Sequence, residues 1–112
     1  MDRFLISGPC QLSGDVTVAG AKNEVLPLMA ATLLCPGKSR IRNVPDLRDT
    51  RTMARVLETL GAPSDFTTGT LSVDAAGADG IEAPYDLVKT MRASIYVLGP
   101  LLARHGQAKV SL

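Results

Sequence analysis

The chain has 112 residues, of which 46% are hydrophobic and 4% aromatic, and its formal net charge is +1. This length fits one ordinary domain with an aliphatic core, and the apolar content argues against disorder. The charge balance argues against a general nucleic-acid-binding surface, although it allows a local cluster of cations.

The first elements predicted are two short strands and a helix. The strands are "RFLIS" at 3–7 and "DVTVAG" at 15–20, with Gly-Pro and Ser-Gly pairs between them. The apolar run "VLPLMAATLL" at 25–34 predicts a buried helix. Pro27 must lie in its first turn, because an interior proline loses a backbone hydrogen bond. The helix is therefore expected to begin within 22–24 and to end at Cys35-Pro36-Gly37.

A half-buried strand and an amphipathic helix follow. "SRIRNV" at 39–44 alternates polar and apolar residues, as such a strand does. In the helix, Asp49 or Thr50 can cap the start and Gly61 is placed to end it. Its apolar stripe repeats at helical spacing and consists of Met53, Val56, Leu57 and Leu60.

The rest of the chain predicts a hairpin, a mostly helical segment and a last strand. "SDFTTGTLSVD" forms the hairpin, with its turn near Thr68-Gly69. The segment 83–106 is helical with Gly99-Pro100 as an interruption, and "QAKVSL" at 107–112 is the strand. This order indicates an α/β fold (α+β in some schemes). No Gly-x-Gly-x-x-Gly or Walker motif occurs, so the usual nucleotide-binding folds have no support.

Other features give weaker indications. Cys10 and Cys35 set no metal or disulfide pattern, so we expect two reduced, partly buried thiols. There is no secretory leader pattern and no apolar run near the ~20 residues of a membrane helix, which makes the cytoplasm the default location. The final strand stops at Leu112 without a turn or cap, so we expect the chain to be part of a longer protein.

Lys22 and Asn23 lie at the expected entrance of the first helix. Asparagine is among the best N-cap residues, so Asn23 could cap the helix while Lys22 is solvated. A lysine is nevertheless unfavourable there, because a helix N-terminus already carries roughly +0.5 charge. A phosphate or carboxylate would meet backbone N–H groups, the helix dipole and the ammonium together. Capping and anion binding both stay open.

Lys89 and Arg92 form a second pair of cations, in "KTMRAS". They are three residues apart and share one face if the segment is helical. Two neighbouring cations repel each other unless solvent or an anion separates them, and the planar fork of arginine suits phosphate. Two solvated surface cations remain the alternative.

Charged residues elsewhere are expected to be structural. His105 precedes Gly106 at a helix end and fits a C-terminal charge or surface residue better than a catalytic base. A run of arginines is interleaved with Asp46, Asp49 and Glu58, which favours a solvated, salt-bridged face. The run comprises Arg40, Arg42, Arg48, Arg51 and Arg55.

Two long segments carry a resemblance to a known family. "GAKNEVLP" at 20–27 and "APYDLVKTMRASIYVLGPLLAR" at 83–104 closely resemble the N-terminal part of the UDP-N-acetylglucosamine 1-carboxyvinyltransferases, which are enolpyruvyl transferases. "GPCQLSGDVTVAGAKN", "NVPDLRDTRTM" and "GQAKVSL" look like the same family, so the resemblance covers essentially the whole chain. The shikimate-pathway enolpyruvyl transferases are the less similar relatives, since they carry a Lys-Ser type motif in place of Lys22-Asn23.

The resemblance implies a fold and a reaction. The fold consists of repeated β-α-β-α-β-β units in an inverse α/β barrel, incomplete here, with the active site in a cleft between two domains. The enolpyruvyl group of phosphoenolpyruvate passes to the 3′-hydroxyl of UDP-N-acetylglucosamine and phosphate leaves, the first committed step of peptidoglycan synthesis. No metal or organic cofactor is implied. A non-catalytic sugar-nucleotide-binding module and an inert truncated chain are the alternatives.

The resemblance also implies roles for residues. Lys22 would contact the group derived from phosphoenolpyruvate, and Arg92 would bind substrate near the phosphates. Asn23 would lie beside Lys22 and hold the sugar nucleotide or the phosphoenolpyruvate. Residues 1–21 would be strands packed with a second domain absent from this chain, and 22–112 would be the first part of the substrate-binding domain.

The chain departs from the family pattern in two respects. Glu24 and Val25 stand where relatives usually carry alanines. The family's reactive cysteine or aspartate would lie beyond Leu112, so we assign no catalytic residue within this chain, and Cys10 and Cys35 do not inherit that role.

Overall fold

The structure is a computed structural model that describes residues 2–89 and 91–111. It contains both helices and strands, and the predicted α/β class is confirmed. The described residues form a three-stranded sheet and a separate two-stranded sheet, which do not close into a barrel.

Helix α1 spans Lys22–Ala31 and continues as a short 3₁₀ helix, Thr32–Leu34. Its apolar residues enter the core, with Met29 fully buried. The helix begins where the sequence predicts, but Pro27 is its sixth residue and lies in the second turn, not the first. Proline lacks the N–H that would bond to the carbonyl of Asn23, so one carbonyl at the helix entrance has no bond of the usual helical kind.

The three-stranded sheet is antiparallel. Strands β1 (Lys38–Ile41), β2 (Ser64–Thr67) and β3 (Thr70–Asp74) have the order β1-β3-β2. The two-residue turn between β2 and β3 has positive φ at Thr68 (47°) and Gly69 (71°), the geometry that a tight hairpin prefers. The predicted hairpin is therefore confirmed. One face of β3 points into the core through Leu71 and Val73.

Helix α2 spans Arg48–Thr59 and packs against α1 and β2. All four residues of its predicted apolar stripe are 0% exposed, so the stripe is confirmed. Gly61 has a φ of +84°, and the N–H of Ala62 bonds to the carbonyl of Leu57 at 2.9 Å, which ends the helix in the usual glycine manner.

In the last third of the chain, the predicted helical segment is divided into shorter helices. Helix α3 is short (Tyr85–Val88), a 3₁₀ helix spans Arg92–Val97, and α4 spans Leu98–His105. The prediction of an interruption at Gly99-Pro100 is wrong, because both residues lie in the first turn of α4, where proline is tolerated. The helical path breaks before Arg92 instead. Strands β4 (Glu82–Ala83) and β5 (Lys109–Val110) pair in parallel.

Arg104 ties α4 to the rest of the core. Its guanidinium donates hydrogen bonds to the carbonyl of Leu33 at 2.7 Å and to that of Ala75 at 2.8 Å. These carbonyls belong to buried residues at the ends of two other segments. One side chain thus satisfies backbone groups from regions that are far apart in sequence.

Residues 2–19 form an extended, exposed arm. The strand candidates at 3–7 and 15–20 form no strand here, because no other described segment lies alongside to complete their hydrogen bonds. The apolar side chains of the arm are 82–97% exposed, and they are Phe4, Leu5, Ile6, Leu12, Val16 and Val18. That this arm packs with a second domain stays a prediction.

Candidate anion-binding site

A concavity of about 430 Å³ lies where the N-termini of α1 and α2 approach the 3₁₀ helix Arg92–Val97. We call it the cation cleft. It brings together the three residues that the sequence singles out, Lys22, Asn23 and Arg92. The other lining residues are Leu26, Asp49, Met91, Ala93, Ile95 and Tyr96.

The first turn of α1 presents Lys22 and Asn23 to the cleft. Ala21 is the N-cap residue, and its carbonyl accepts the N–H groups of Glu24 and Val25 at 3.1 and 3.0 Å. The interpretation of Asn23 as the cap is wrong, because Asn23 is already the second helical residue and makes no capping bond. Its exposed side chain is therefore available to the cleft.

Lys22 is neither simply solvated nor unpaired. Its Nζ lies 2.9 Å from Oδ2 of Asp49, and the two side chains are 47% and 30% exposed. The N-cap residue of α2 is Leu47 and not Asp49 or Thr50, although Oγ1 of Thr50 accepts the N–H of Leu47 at 3.0 Å. The carboxylate of Asp49 bonds directly to Lys22, and both residues line the cleft.

Arg92 is held by a well-packed backbone and has an exposed side chain. Met91, which precedes it, is 3% exposed, and the buried hydroxyl of Ser94 donates to the carbonyl of Met91 at 2.8 Å. Within residues 2–89 and 91–111, no carboxylate lies within ion-pair distance of the guanidinium. The cleft therefore holds a cation on a firm backbone support without a local counter-ion.

Lys89 does not line the cleft. Helix α3 ends at Val88, so Lys89 and Arg92 do not share a helix face, and the intervening Thr90 lies outside the described residues. The ammonium of Lys89 donates to Oδ1 of Asp86 at 2.7 Å. That hydrogen bond, with the charge of Lys89, lowers the pKa of Asp86. The ammonium of Lys89 is thus paired with a carboxylate of α3, the helix that precedes it.

All five arginines of the run are exposed, as expected, but within the described residues only Arg51 forms an ion pair. Arg51 forms a two-pronged contact with Asp46, with both N···O distances at 2.6 Å. The hydrogen bond from Arg51 lowers the pKa of the Asp46 carboxyl. Asp49, which was expected to pair within this run, is bonded to Lys22 instead.

A larger concavity than the cation cleft, about 640 Å³, lies on the solvent side of the three-stranded sheet. Its lining carries balanced charges, with Lys38 and Arg40 against Asp65 and Asp74. A twisted sheet with an exposed polar face produces such a hollow without any ligand. The convergence of cations on helix ends makes the smaller cation cleft the better candidate for anions.

Cys10 and Cys35 are both free and exposed, so the expectation of partly buried thiols is wrong for both. Cys10 belongs to the extended arm, and Cys35 follows the last buried turn after α1. His105 occupies the last turn of α4, as the sequence suggests. In the described part of the chain, no helix is long and apolar enough to cross a membrane, and no cluster of acidic, cysteine or histidine side chains could hold a metal ion.

Comparison with known proteins places these features in a family. A sequence model described as EPSP synthase (3-phosphoshikimate 1-carboxyvinyltransferase) matches residues 6–112. The UDP-N-acetylglucosamine 1-carboxyvinyltransferase of Geobacter metallireducens is 54% identical over all of this chain, which spans 27% of that relative. The enzyme of the same name from Dichelobacter nodosus is 56% identical and is also spanned to 27%.

A solved structure supports the same conclusion. The enolpyruvyl transferase NikO from Streptomyces tendae superimposes with a TM-score of 0.76 and 33% identity, over 85% of this chain and 22% of that one. The chain therefore covers about a quarter of its curated relatives' length. The family model, the identities and the shared fold together show that the chain belongs to the enolpyruvyl transferase family.

Proposed function

We propose that the chain is the N-terminal part of a UDP-N-acetylglucosamine 1-carboxyvinyltransferase. The complete enzyme transfers the enolpyruvyl group of phosphoenolpyruvate to the 3′-hydroxyl of UDP-N-acetylglucosamine and releases phosphate, as the first committed step of peptidoglycan synthesis in the cytoplasm. The supporting observation is that Lys22, Asn23 and Arg92 line one concavity. Two relatives named for this reaction share more than half of this chain's residues.

The charges of the cation cleft suit these substrates. Phosphoenolpyruvate carries a phosphate and a carboxylate, and the sugar nucleotide carries a diphosphate. Lys22 contacts the group derived from phosphoenolpyruvate, Asn23 holds one of the substrates beside it, and Arg92 binds near the phosphates. Fixed cations in a closed, dry site stabilise developing negative charge far better than water does.

The remaining length of the relatives supplies the rest of the active site in this proposal. The exposed apolar side chains of residues 2–19 support the idea that this arm packs with a second domain. Residues 22–112 form the first part of the substrate-binding domain. Since the chain spans 27% of a typical relative, we propose that the 112 residues alone do not turn over the substrates.

Replacement of Lys22 tests the proposal. The enzyme needed is a chimera in which this chain replaces the matching segment of the Geobacter metallireducens relative. Lys22→Ala in the chimera should lower turnover by about 10²–10³, as expected for loss of a preorganised electrostatic group. The assay is phosphate release from phosphoenolpyruvate in the presence of UDP-N-acetylglucosamine.

Lys38→Ala is the matched control, because Lys38 is an exposed lysine on β1 that does not line the cation cleft. Its turnover should stay within about twofold of the parent chimera, as surface substitutions usually do. A Lys22→Ala chimera as active as this control would refute the role of Lys22.

A further inference from the structure

The ion pair between Lys22 and Asp49 differs from the other ion pairs of the described chain. It joins the first turns of two helices, 27 residues apart in sequence, and both partners line the cation cleft. The remaining three pairs connect neighbours along one segment or on adjacent strands, namely Asp46–Arg51, Asp86–Lys89 and Glu82–Lys109.

Stability does not explain this ion pair. Helices α1 and α2 already pack against each other, and each contributes fully buried side chains to the core, such as Met29 and Met53. A partly exposed ion pair adds little stability to such packing, because solvent screens the two charges. The pair has a clearer electrostatic effect, because Lys22 is the first residue of α1, where the helix dipole disfavours a cation. Asp49, in the first turn of α2, compensates that cation and is itself favoured by its own helix.

We propose that Asp49 is a positioning residue of the substrate site, which holds the ammonium of Lys22 at the mouth of the cation cleft. The inference rests on the proposed function, since it assigns Asp49 to the same site. Asp49 fixes the direction of a flexible four-carbon side chain before a ligand arrives. The negative charge of the carboxylate also opposes anion binding. In this proposed trade, Asp49 lowers the affinity of the cleft for an anion while it fixes the position of the ammonium.

The net charge of the cleft predicts whether loss of the Asp49 carboxylate raises or lowers the affinity for an anion. Lys22 (+1), Arg92 (+1) and Asp49 (−1) are the charged side chains that line it, which leaves +1. Asp49→Asn raises that balance to +2 and frees Lys22 to follow an anion. One unit of charge at a few ångströms in a partly exposed site is worth roughly three- to tenfold in affinity for inorganic phosphate.

The first experiment needs no ligand. The ¹H–¹⁵N signals of the Lys22 ammonium are recorded by NMR in the parent chain and in Asp49→Asn. We expect a narrow, slowly exchanging signal in the parent and a broadened or lost signal in the variant. Asp46→Asn is the matched control, because it breaks an ion pair at the same end of α2 that does not line the cleft. An unchanged Lys22 signal in Asp49→Asn overturns the proposal.

The second experiment is a titration of the same three proteins with inorganic phosphate. Asp49→Asn should bind phosphate about three- to tenfold more tightly than the parent, and Asp46→Asn should not change. Asp49→Glu keeps the charge and should return both readouts toward the parent. Equal or weaker binding in Asp49→Asn contradicts the proposed trade. If the parent binds no phosphate, the anion site of the proposed function fails, while the ligand-free spectra still decide whether Asp49 positions Lys22.

The third readout is turnover in the chimera. Asp49→Asn should lower kcat by about tenfold or more while the KM for phosphoenolpyruvate stays equal or falls, because binding improves as positioning is lost. A purely structural role of Asp49 would instead raise KM and lower kcat together. That outcome, with an intact ¹H–¹⁵N spectrum, would overturn the proposal.

Discussion

At the residue scale, the entrance of α1 depends on a close backbone contact at Gly20. A Cβ built on Gly20 would collide with the carbonyl oxygen of Asn43, in the loop that leads to α2. Asn43 itself has a positive φ of 57°, so this loop already has a restricted shape. The contact fixes the two helix entrances, and with them Lys22 and Asp49, relative to each other.

We therefore expect Gly20→Ala to destabilise the chain by about 1–3 kcal/mol, because backbone must move to admit the methyl group. Urea unfolding followed by circular dichroism measures the change. Gly99→Ala is the control, since a Cβ there meets nothing within 4 Å and alanine is favoured within a helix. A Gly20→Ala chain as stable as Gly99→Ala would show that the contact relaxes without cost.

At this scale the sequence pattern pointed to Lys22 at a helix entrance and to the pair Lys89 and Arg92, and the family resemblance selected Arg92 from that pair. The pattern did not predict how these side chains are arranged. The role of Asp49 could not be predicted, since its partner lies 27 residues away and a local cap was the simpler interpretation. Capping remained an open alternative for Asn23, because helix starts cannot be fixed to one residue from sequence.

At the scale of elements, strong local patterns were predicted correctly and weak ones were not. The α2 stripe, the Thr68-Gly69 turn and the end of α2 at Gly61 each follow from spacing or from glycine geometry. The segment 83–106 has no such regular spacing, and its described residues form two α-helices and a 3₁₀ helix. The strand candidates in the arm form no strand within the described residues, because strands need partners, which the local sequence does not provide.

At the scale of elements, the testable prediction concerns the hydrogen bonds that Arg104 makes between α4 and the rest of the core. Arg104→Met keeps an apolar stem but removes the hydrogen bonds to the carbonyls of Leu33 and Ala75. Loss of charged hydrogen bonds to buried groups should lower the free energy of unfolding by about 2–4 kcal/mol. Urea unfolding of Arg104→Met beside Arg55→Met measures it.

Arg55 is the matched control because it is exposed and makes no side-chain hydrogen bond within the described residues. Its replacement should change the free energy of unfolding by less than about 0.5 kcal/mol. Equal stability of the two variants would mean that Arg104 does not hold α4 in place.

At the scale of the whole molecule, a packed body of residues 20–89 and 91–111 carries an extended arm. The radius of gyration is 16.8 Å, against about 13 Å for a compact chain of this length. The cation cleft is open to solvent, because the side chains of Lys22, Asn23 and Arg92 are all exposed. In our proposal, the remaining length of the enzyme closes this cleft and covers the arm.

One titration tests the central claim most directly, that Lys22, Asn23 and Arg92 form a single binding site. The ¹⁵N-labelled chain is titrated with UDP-N-acetylglucosamine while the amide signals of these residues are followed by NMR. We predict saturable shifts of all three with one common dissociation constant. The signals of Lys38, Arg40 and Asp65, around the larger hollow on the sheet, should stay unchanged. No shift at the cation cleft, or saturable shifts only around the sheet, would contradict the account.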